Sequence, residues 1–335
     1  MQTNSQQNPL AGLVKKFIPG LVLAFAVLLI FGLVGDVREM LDTIKHFRWG
    51  IFPLVLLFTL FNYTIRFFKW HYYLGQIGVK NFPLLESARL FVAGFPLAMT
   101  PGKVGEVLKG VWVNQKTGVA TARAVSVIVA ERITDGLAVL LLSTLGVIAY
   151  PQYWPAFVII LVILVAVIII SQIRPAAYWF LDLSEKIPFI KRFSIMLREF
   201  YEGSFAVFRP GPTLLGVAMG MVSWIGEGVG FYYLLTALGL PAGKETFGNA
   251  VFILAFSTVV GAVSALPGGL GASEASIAGM LTLLVGVDST TASVATLLIR
   301  LATLWFGVSL GVITWLFSWD LIAFIGKNKD EKLES

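Results

Sequence analysis

The feature that most constrains this chain is a series of apolar runs, each long enough to cross a lipid bilayer. They cover about residues 17–34, 50–68, 124–149, 154–173, 213–238 and 291–317. A helix needs roughly 20 apolar residues to span the hydrocarbon core, and there only a helix or a closed barrel satisfies every backbone group. Hydrophobic residues make up 57% of the 335 and charged residues 13%, against about 25% charged in a soluble domain. A soluble globular fold is therefore excluded. The reading is an all-α polytopic membrane protein, one membrane domain over residues 1–335 with about six spanning helices, and no soluble catalytic domain fits in the remainder. Lys15 and Lys16 precede the first run without a small-residue cleavage site, so no cleaved signal peptide is expected.

Composition also narrows the chemistry. The net charge of +6 reads as a membrane topology signal, and no nucleic-acid partner is expected. With no Cys and two His, the thiolate and imidazole ligands of zinc, haem and iron–sulfur sites are missing, so neither a metal nor a cofactor is expected. No Gly-x-x-x-x-Gly-Lys-Ser/Thr loop is present, which argues against ATP as an energy source.

Two further apolar stretches, residues 84–99 and 247–266, each run into a Pro-Gly break followed by a shorter helical segment. Each is either a span or a re-entrant hairpin. If both return to the side they came from, nearly all Lys and Arg outside the spans fall on the side of the amino terminus. Only Arg38, Lys45, Arg48 and Lys244 lie opposite. Because positive residues collect in the cytoplasm, this count favours two re-entrant hairpins and both termini cytoplasmic, in a bacterial or archaeal plasma membrane. Residues 174–210 read as a cytoplasmic amphipathic linker, with Phe189, Ile190, Phe193, Met196, Leu197, Phe200 and Tyr201 at helical spacing among charges.

The breaks share a pattern. One reads Pro101-Gly102-Lys103-Val104-Gly105-Glu106, and the other Pro267-Gly268-Gly269-Leu270-Gly271 followed by Glu274. Arg132 follows Glu106 by 26 residues, and Arg300 follows Glu274 by 26. With three spans in each half, residues 12–149 and 154–319 read as two repeats of opposite orientation. Inverted repeats with broken helices are a sequence pointer to a transporter. Pro removes a donor and Gly permits positive φ, so each break frees backbone groups that must be buried in protein or line a polar cavity. The restarting helices offer positive ends suited to an anion such as a lipid phosphate. The competing reading is a pair of tight turns packed by small residues.

A lone charge at the bilayer centre costs about 2.5–3.5 kcal/mol, so the intramembrane charges must pair or face water. Glu131 and Asp135 share a helix face beside Arg132, and Glu227 sits mid-span between Gly226 and Gly228. Arg300 is expected to pair with Glu274, and Arg132 with Glu106. Such pairs serve either as clamps or as a site where Arg meets a lipid phosphate while Glu competes or carries a proton. Glu227 is either a proton site or a buried hydrogen-bonding acid. Lys103 and Lys109 bracket Glu106 as a cytoplasmic entrance for an anionic headgroup. Arg66, Lys69, Trp70, Tyr72 and Tyr73 read as an interfacial anchor ending the second span.

At these residues the chain resembles the flippase-like integral membrane proteins related to the transmembrane region of lysylphosphatidylglycerol synthase. The resemblance is carried by Arg66-Phe67-Phe68-Lys69-Trp70, by Thr100 through Glu106, by Val127 through Arg132 with Asp135-Gly136, and by Pro267 through Gly271 with Glu274. It covers about residues 12–319. It implies a role in moving lipids between leaflets. No aminoacyl-transferase domain follows the last span, so lysyl transfer by this chain alone is not expected. The lipid stays open among anionic or aminoacylated phospholipids and polyprenyl phosphate. Other readings are an accessory subunit of a lipid-modifying or glycosyl-transferring enzyme, a small-solute transporter, or a membrane-embedded transferase with Glu106, Glu131 or Asp135 as general base. Self-association as a homodimer and a partner enzyme are both left open.

Overall fold

The computed structural model describes residues 37–100, 105–147, 154–318 and 320–321. The first apolar run, residues 17–34, lies outside them, as do Pro101, Gly102 and Lys103 of the first break. The described residues fold into helices without a strand. They are α1 (Val37–His46), α2 (Phe52–Gln76), α3 (Leu84–Ala93), α4 (Val107–Thr117) and α5 (Thr121–Val147). Next come α6 (Trp154–Ser171), α7 (Arg174–Glu185), α8 (Ser194–Val207), α9 (Pro210–Ala237) and α10 (Lys244–Val263). Three more complete the bundle, α11 (Ala272–Met280), α12 (Ser289–Arg300) and α13 (Phe306–Leu316). A π turn, Leu301–Trp305, joins α12 to α13 without ending the helix.

Among the described residues, five segments are long and apolar enough to cross a membrane: Trp49–Gln76, Pro210–Ala237, Lys244–Val263, Pro267–Val285 and Ser289–Leu316. A sixth arises if α6 and α7 count as one span, but they meet at 83°. The chain is an all-α integral membrane protein. Helix α6 leaves Ile159, Val162, Ile163, Ile169 and Ile170 exposed, an apolar surface that only lipid tails suit. Beyond its turn, α7 and α8 form the amphipathic stretch read from residues 174–210. Gly203 of α8 brings its backbone against Ser126 and Arg123 of α5, and Arg123 pairs with Glu199 at 2.7 Å.

The two broken segments differ in length. Helix α3 has 10 residues and runs on through Gly94 into the short helix Phe95–Met99, and α4 has 11 residues. Helix α10 has 20 residues and the segment Pro267–Val285 has 19, and each is long enough to cross.

The hub of the bundle is α9, whose glycines let other helices approach closely, as small residues do where no hydrophobic force separates helix from lipid. Phe61 of α2 lies over Gly226, Phe58 over Gly230, Tyr73 over Gly216, Ala138 of α5 over Gly220 and Val251 of α10 over Gly228. Any larger side chain at these glycines would collide. Polar ties set the register of the pairs. Asn62 Nδ2 of α2 donates to the Ser223 carbonyl of α9 at 3.0 Å, and Trp315 Nε1 of α13 donates to the Ala93 carbonyl at the end of α3 at 2.9 Å.

Candidate functional site

The end of the first apolar stretch meets the second break inside the bundle. Met99, at the end of the first apolar stretch, rests against Gly268 of the second break, and Leu270, Leu304 and Trp305 close the contact. Gly268, Gly269 and Gly271 all have left-handed backbone, with φ of +61°, +67° and +85°. A side chain at the first two would also strike Met99 or the Gly261 backbone, so glycine is required there for both conformation and space.

Beside this junction is a cavity of about 200 Å³. The volume equals that of roughly six or seven water molecules, enough for a polar headgroup but not for acyl chains. Four cationic residues line it, Arg66, Lys109, Arg132 and Arg300, with Glu106 and Glu227 as acids. Tyr63, Trp224 and Ser257 complete its polar wall.

The structure forms both expected glutamate–arginine pairs. Arg132 Nε donates to Glu106 Oε2 at 3.1 Å, and Arg300 Nε donates to Glu274 Oε1 at 2.5 Å. They are not equivalent. Arg300 also donates through Nη2 to the Gly268 carbonyl at 2.9 Å, and its side chain is 14% exposed. Arg132 keeps 40% of its side chain exposed. Thus Arg300 clamps the second break, while Arg132 keeps more of its side chain exposed.

Several expectations change. The α11 N-terminus was read as a positive end open to an anion, but Glu274 occupies it. Its Oε2 accepts the Gly271 N–H at 2.7 Å, as a glutamate three residues into a helix commonly does. Lys109, expected with Lys103 to form a headgroup entrance, is buried and lines the cavity. Its stem lies over Gly94, its ammonium is 4.0 Å from the centre of the Trp70 ring and 5.1 Å from that of Phe91, and Glu131 is 3.3 Å away. A desolvated cation over an aromatic ring gains about 2 kcal/mol, and the ion pair adds to it.

The expected interfacial anchor is also overturned. Helix α2 continues to Gln76 rather than ending at 68, so Arg66 and Lys69 lie within it. Lys69, Trp70 and Tyr73 are fully buried. Lys69 is ion-paired to Asp135 of α5, and Arg66 Nε lies 3.4 Å from the same carboxylate. Glu131 and Asp135, on one face of α5, therefore hold separate cations. Arg66 and Tyr63 are the cavity residues that sequence reasoning missed. The Tyr63 hydroxyl donates to the Thr303 carbonyl in the π turn after Arg300 at 2.6 Å, tying α2 to that turn.

Glu227 lies in the cavity wall on α9, 6% exposed. Among the described residues it has no cation within ion-pair distance and no hydrogen-bond donor. The indole N–H of Trp224, one turn earlier, is buried without an acceptor among the described residues. Residues that could hold a metal do not cluster among the described residues.

Residues 18–311 match the family model of the lysylphosphatidylglycerol synthase TM region. The chain belongs to that family. The lysylphosphatidylglycerol synthase TM region family thus covers every charged residue of the cavity. A UPF0104 membrane protein of Methanothermobacter thermautotrophicus is similar to it, 24% identical over 311 residues, with 87% of this chain and 90% of the relative covered. No solved structure matches.

Proposed function

We propose that this protein carries an anionic lipid headgroup between the leaflets of a membrane, with the phosphate in the cavity beside the second break and the acyl tails left in the bilayer. The observation that carries this reading is the lining of a small cavity within the helix bundle by four cations, three of them arginines. A planar guanidinium offers paired donors to phosphate oxygens, and the free Trp224 N–H offers one more. Arg132, more exposed than Arg300, makes first contact, and the headgroup then competes with Glu106 for it. Family membership supports a membrane role and leaves the lipid open. Phosphatidylglycerol, its aminoacylated form and polyprenyl phosphate all carry the phosphate this site suits, in a plasma membrane with both chain termini on the cytoplasmic side.

The test is leaflet exchange of fluorescent versions of these three lipids in proteoliposomes, comparing the native chain with Arg132→Gln and Glu106→Gln. Exchange well above protein-free liposomes, lost in Arg132→Gln and altered in Glu106→Gln, is expected. No exchange of any of them by the native chain would overturn the reading and favour an accessory role beside a lipid-modifying enzyme.

A further inference from the structure

In the buried charge cluster, four acids each have a cation at ion-pair distance. Glu106 has Arg132, Glu131 has Lys109, Asp135 has Lys69 and Arg66, and Glu274 has Arg300. Glu227 is the fifth acid, and among the described residues it has neither an ion pair nor a hydrogen bond. It nevertheless faces the cavity in the middle of the longest described helix. The titratable and charged groups facing it are Tyr63 and Arg66 of α2, Asp135 of α5 and Arg300 at the end of α12. The α10 wall opposite offers only the hydroxyls of Ser257 and Thr258.

Among the described residues the cations of this cluster are Arg66, Lys69, Lys109, Arg132 and Arg300, five against the five acids. It is neutral when Glu227 is ionised. A phosphodiester entering the cavity adds one negative charge to a region shielded from water, where like charges repel strongly. Four of the five acids each have an adjacent cation. Glu227 alone can discharge without breaking an ion pair.

We propose that Glu227 is a proton-coupling site: it takes up one proton from water when an anionic headgroup binds and releases it when the headgroup leaves. This rests on the headgroup-binding reading above. The step is a protonation of a carboxylate and breaks no other bond. Arg132, 40% exposed, also lines this cavity. Movement of a singly charged headgroup then carries no net charge across the membrane.

The test is calorimetric titration of the full chain, held in phosphatidylcholine nanodiscs, with dihexanoyl phosphatidylglycerol and separately with dimethyl phosphate. Each titration is run in two buffers of different ionisation enthalpy, which reports the protons taken up per ligand bound. Over some window between about pH 5 and 8, where neither probe titrates, uptake approaching one proton is expected. Affinity falls within that window by up to about tenfold per pH unit. Glu227→Gln is expected to bind without uptake and with flat pH dependence. Binding of the lipid alone identifies a lipid site, and equal binding of both probes a site for free anions; either supports the coupling when uptake accompanies it. Binding by the native chain with no uptake at any pH overturns the coupling and leaves the headgroup site standing. Undiminished uptake by Glu227→Gln, or by Glu227→Ala should the first variant not fold, overturns it also. Failure of the native chain to bind either probe removes the headgroup site and the coupling together.

Discussion

Substituting Asp135 by Asn tests whether the buried charges are held by their partners or by water. Lys69 has no exposed surface, and its ammonium is paired to Asp135 with Thr134 Oγ1 at 3.4 Å. Arg66 shares that carboxylate. The amide is the same size, so the change removes charge with little change in volume, and it leaves two cations facing a neutral group. Removing one partner of a buried pair costs about 3–5 kcal/mol. At about 2 °C per kcal/mol for a chain of this size, the unfolding temperature should fall by roughly 6–10 °C. The assay is thermal unfolding in nanodiscs followed by tryptophan fluorescence near neutral pH. The decisive arm is the double variant Asp135→Asn with Lys69→Met, which removes the stranded ammonium and should recover more than half of the loss. Lys69→Met alone leaves Asp135 its contact with Arg66 and should cost less than Asp135→Asn. An Asp135→Asn protein within about 1 kcal/mol of the native chain, or a double variant no more stable than the single one, would refute this account of the cluster.

The inequality of the two arginines gives a second expectation. Arg300→Lys loses the bond to the Gly268 carbonyl and should lower stability by about 1–2 kcal/mol, whereas Arg132→Lys should leave unfolding nearly unchanged and weaken headgroup binding in the same calorimetry. Beyond the last span, burial raises the Asp320 carboxyl, but hydrogen bonds from Lys116 and Arg89 outweigh it and hold the group below its usual value. A lowered value in the fold means that this stability is present at neutral pH and is lost as acid titrates the folded group. Asp320→Asn should therefore cost up to about 1 kcal/mol at pH 7, since the carboxylate is partly exposed, and nothing once acid has protonated Asp320 in the fold. If residues 12–149 and 154–319 are repeats of opposite orientation, Lys103→Cys and Leu266→Cys, in this Cys-free chain, should react with an impermeant maleimide from opposite faces of a vesicle. Labelling from one face would remove the inversion.

What could be read from the sequence was what recurs at fixed spacing. The glutamate–arginine pairs were legible because two copies of one motif each stood 26 residues from an arginine, and paired charges are the economical solution in lipid. What could not be read depended on contacts between distant segments. The burial of Lys109 comes from Trp70 and Phe91 on two other helices. Arg66 and Lys69 were misplaced because the apolar run was cut at 68, although Leu74 continues it. Charges three apart and followed by more apolar sequence were a usable sign of an interior position. The glutamate closing the α11 N-terminus was also visible, as an acid three residues after Gly271. Tyr63 left no sign, since a tyrosine within an apolar run is ordinary.

The two halves are alike in motif and unlike in contact, and for a carrier the second property matters as much as the first. A site reached from either leaflet in turn needs equivalent parts on both sides, but in any one conformation those parts must be used differently. Here one guanidinium is locked onto a carboxylate and a backbone carbonyl, while its counterpart holds a single carboxylate and stays more exposed. Met99 rests against Gly268, so the end of the first apolar stretch bears directly on the second break. On the function proposed above, that junction is where opening toward one leaflet would be tied to closure toward the other. The charges around it, balanced only while Glu227 is ionised, set what must enter or leave with the headgroup.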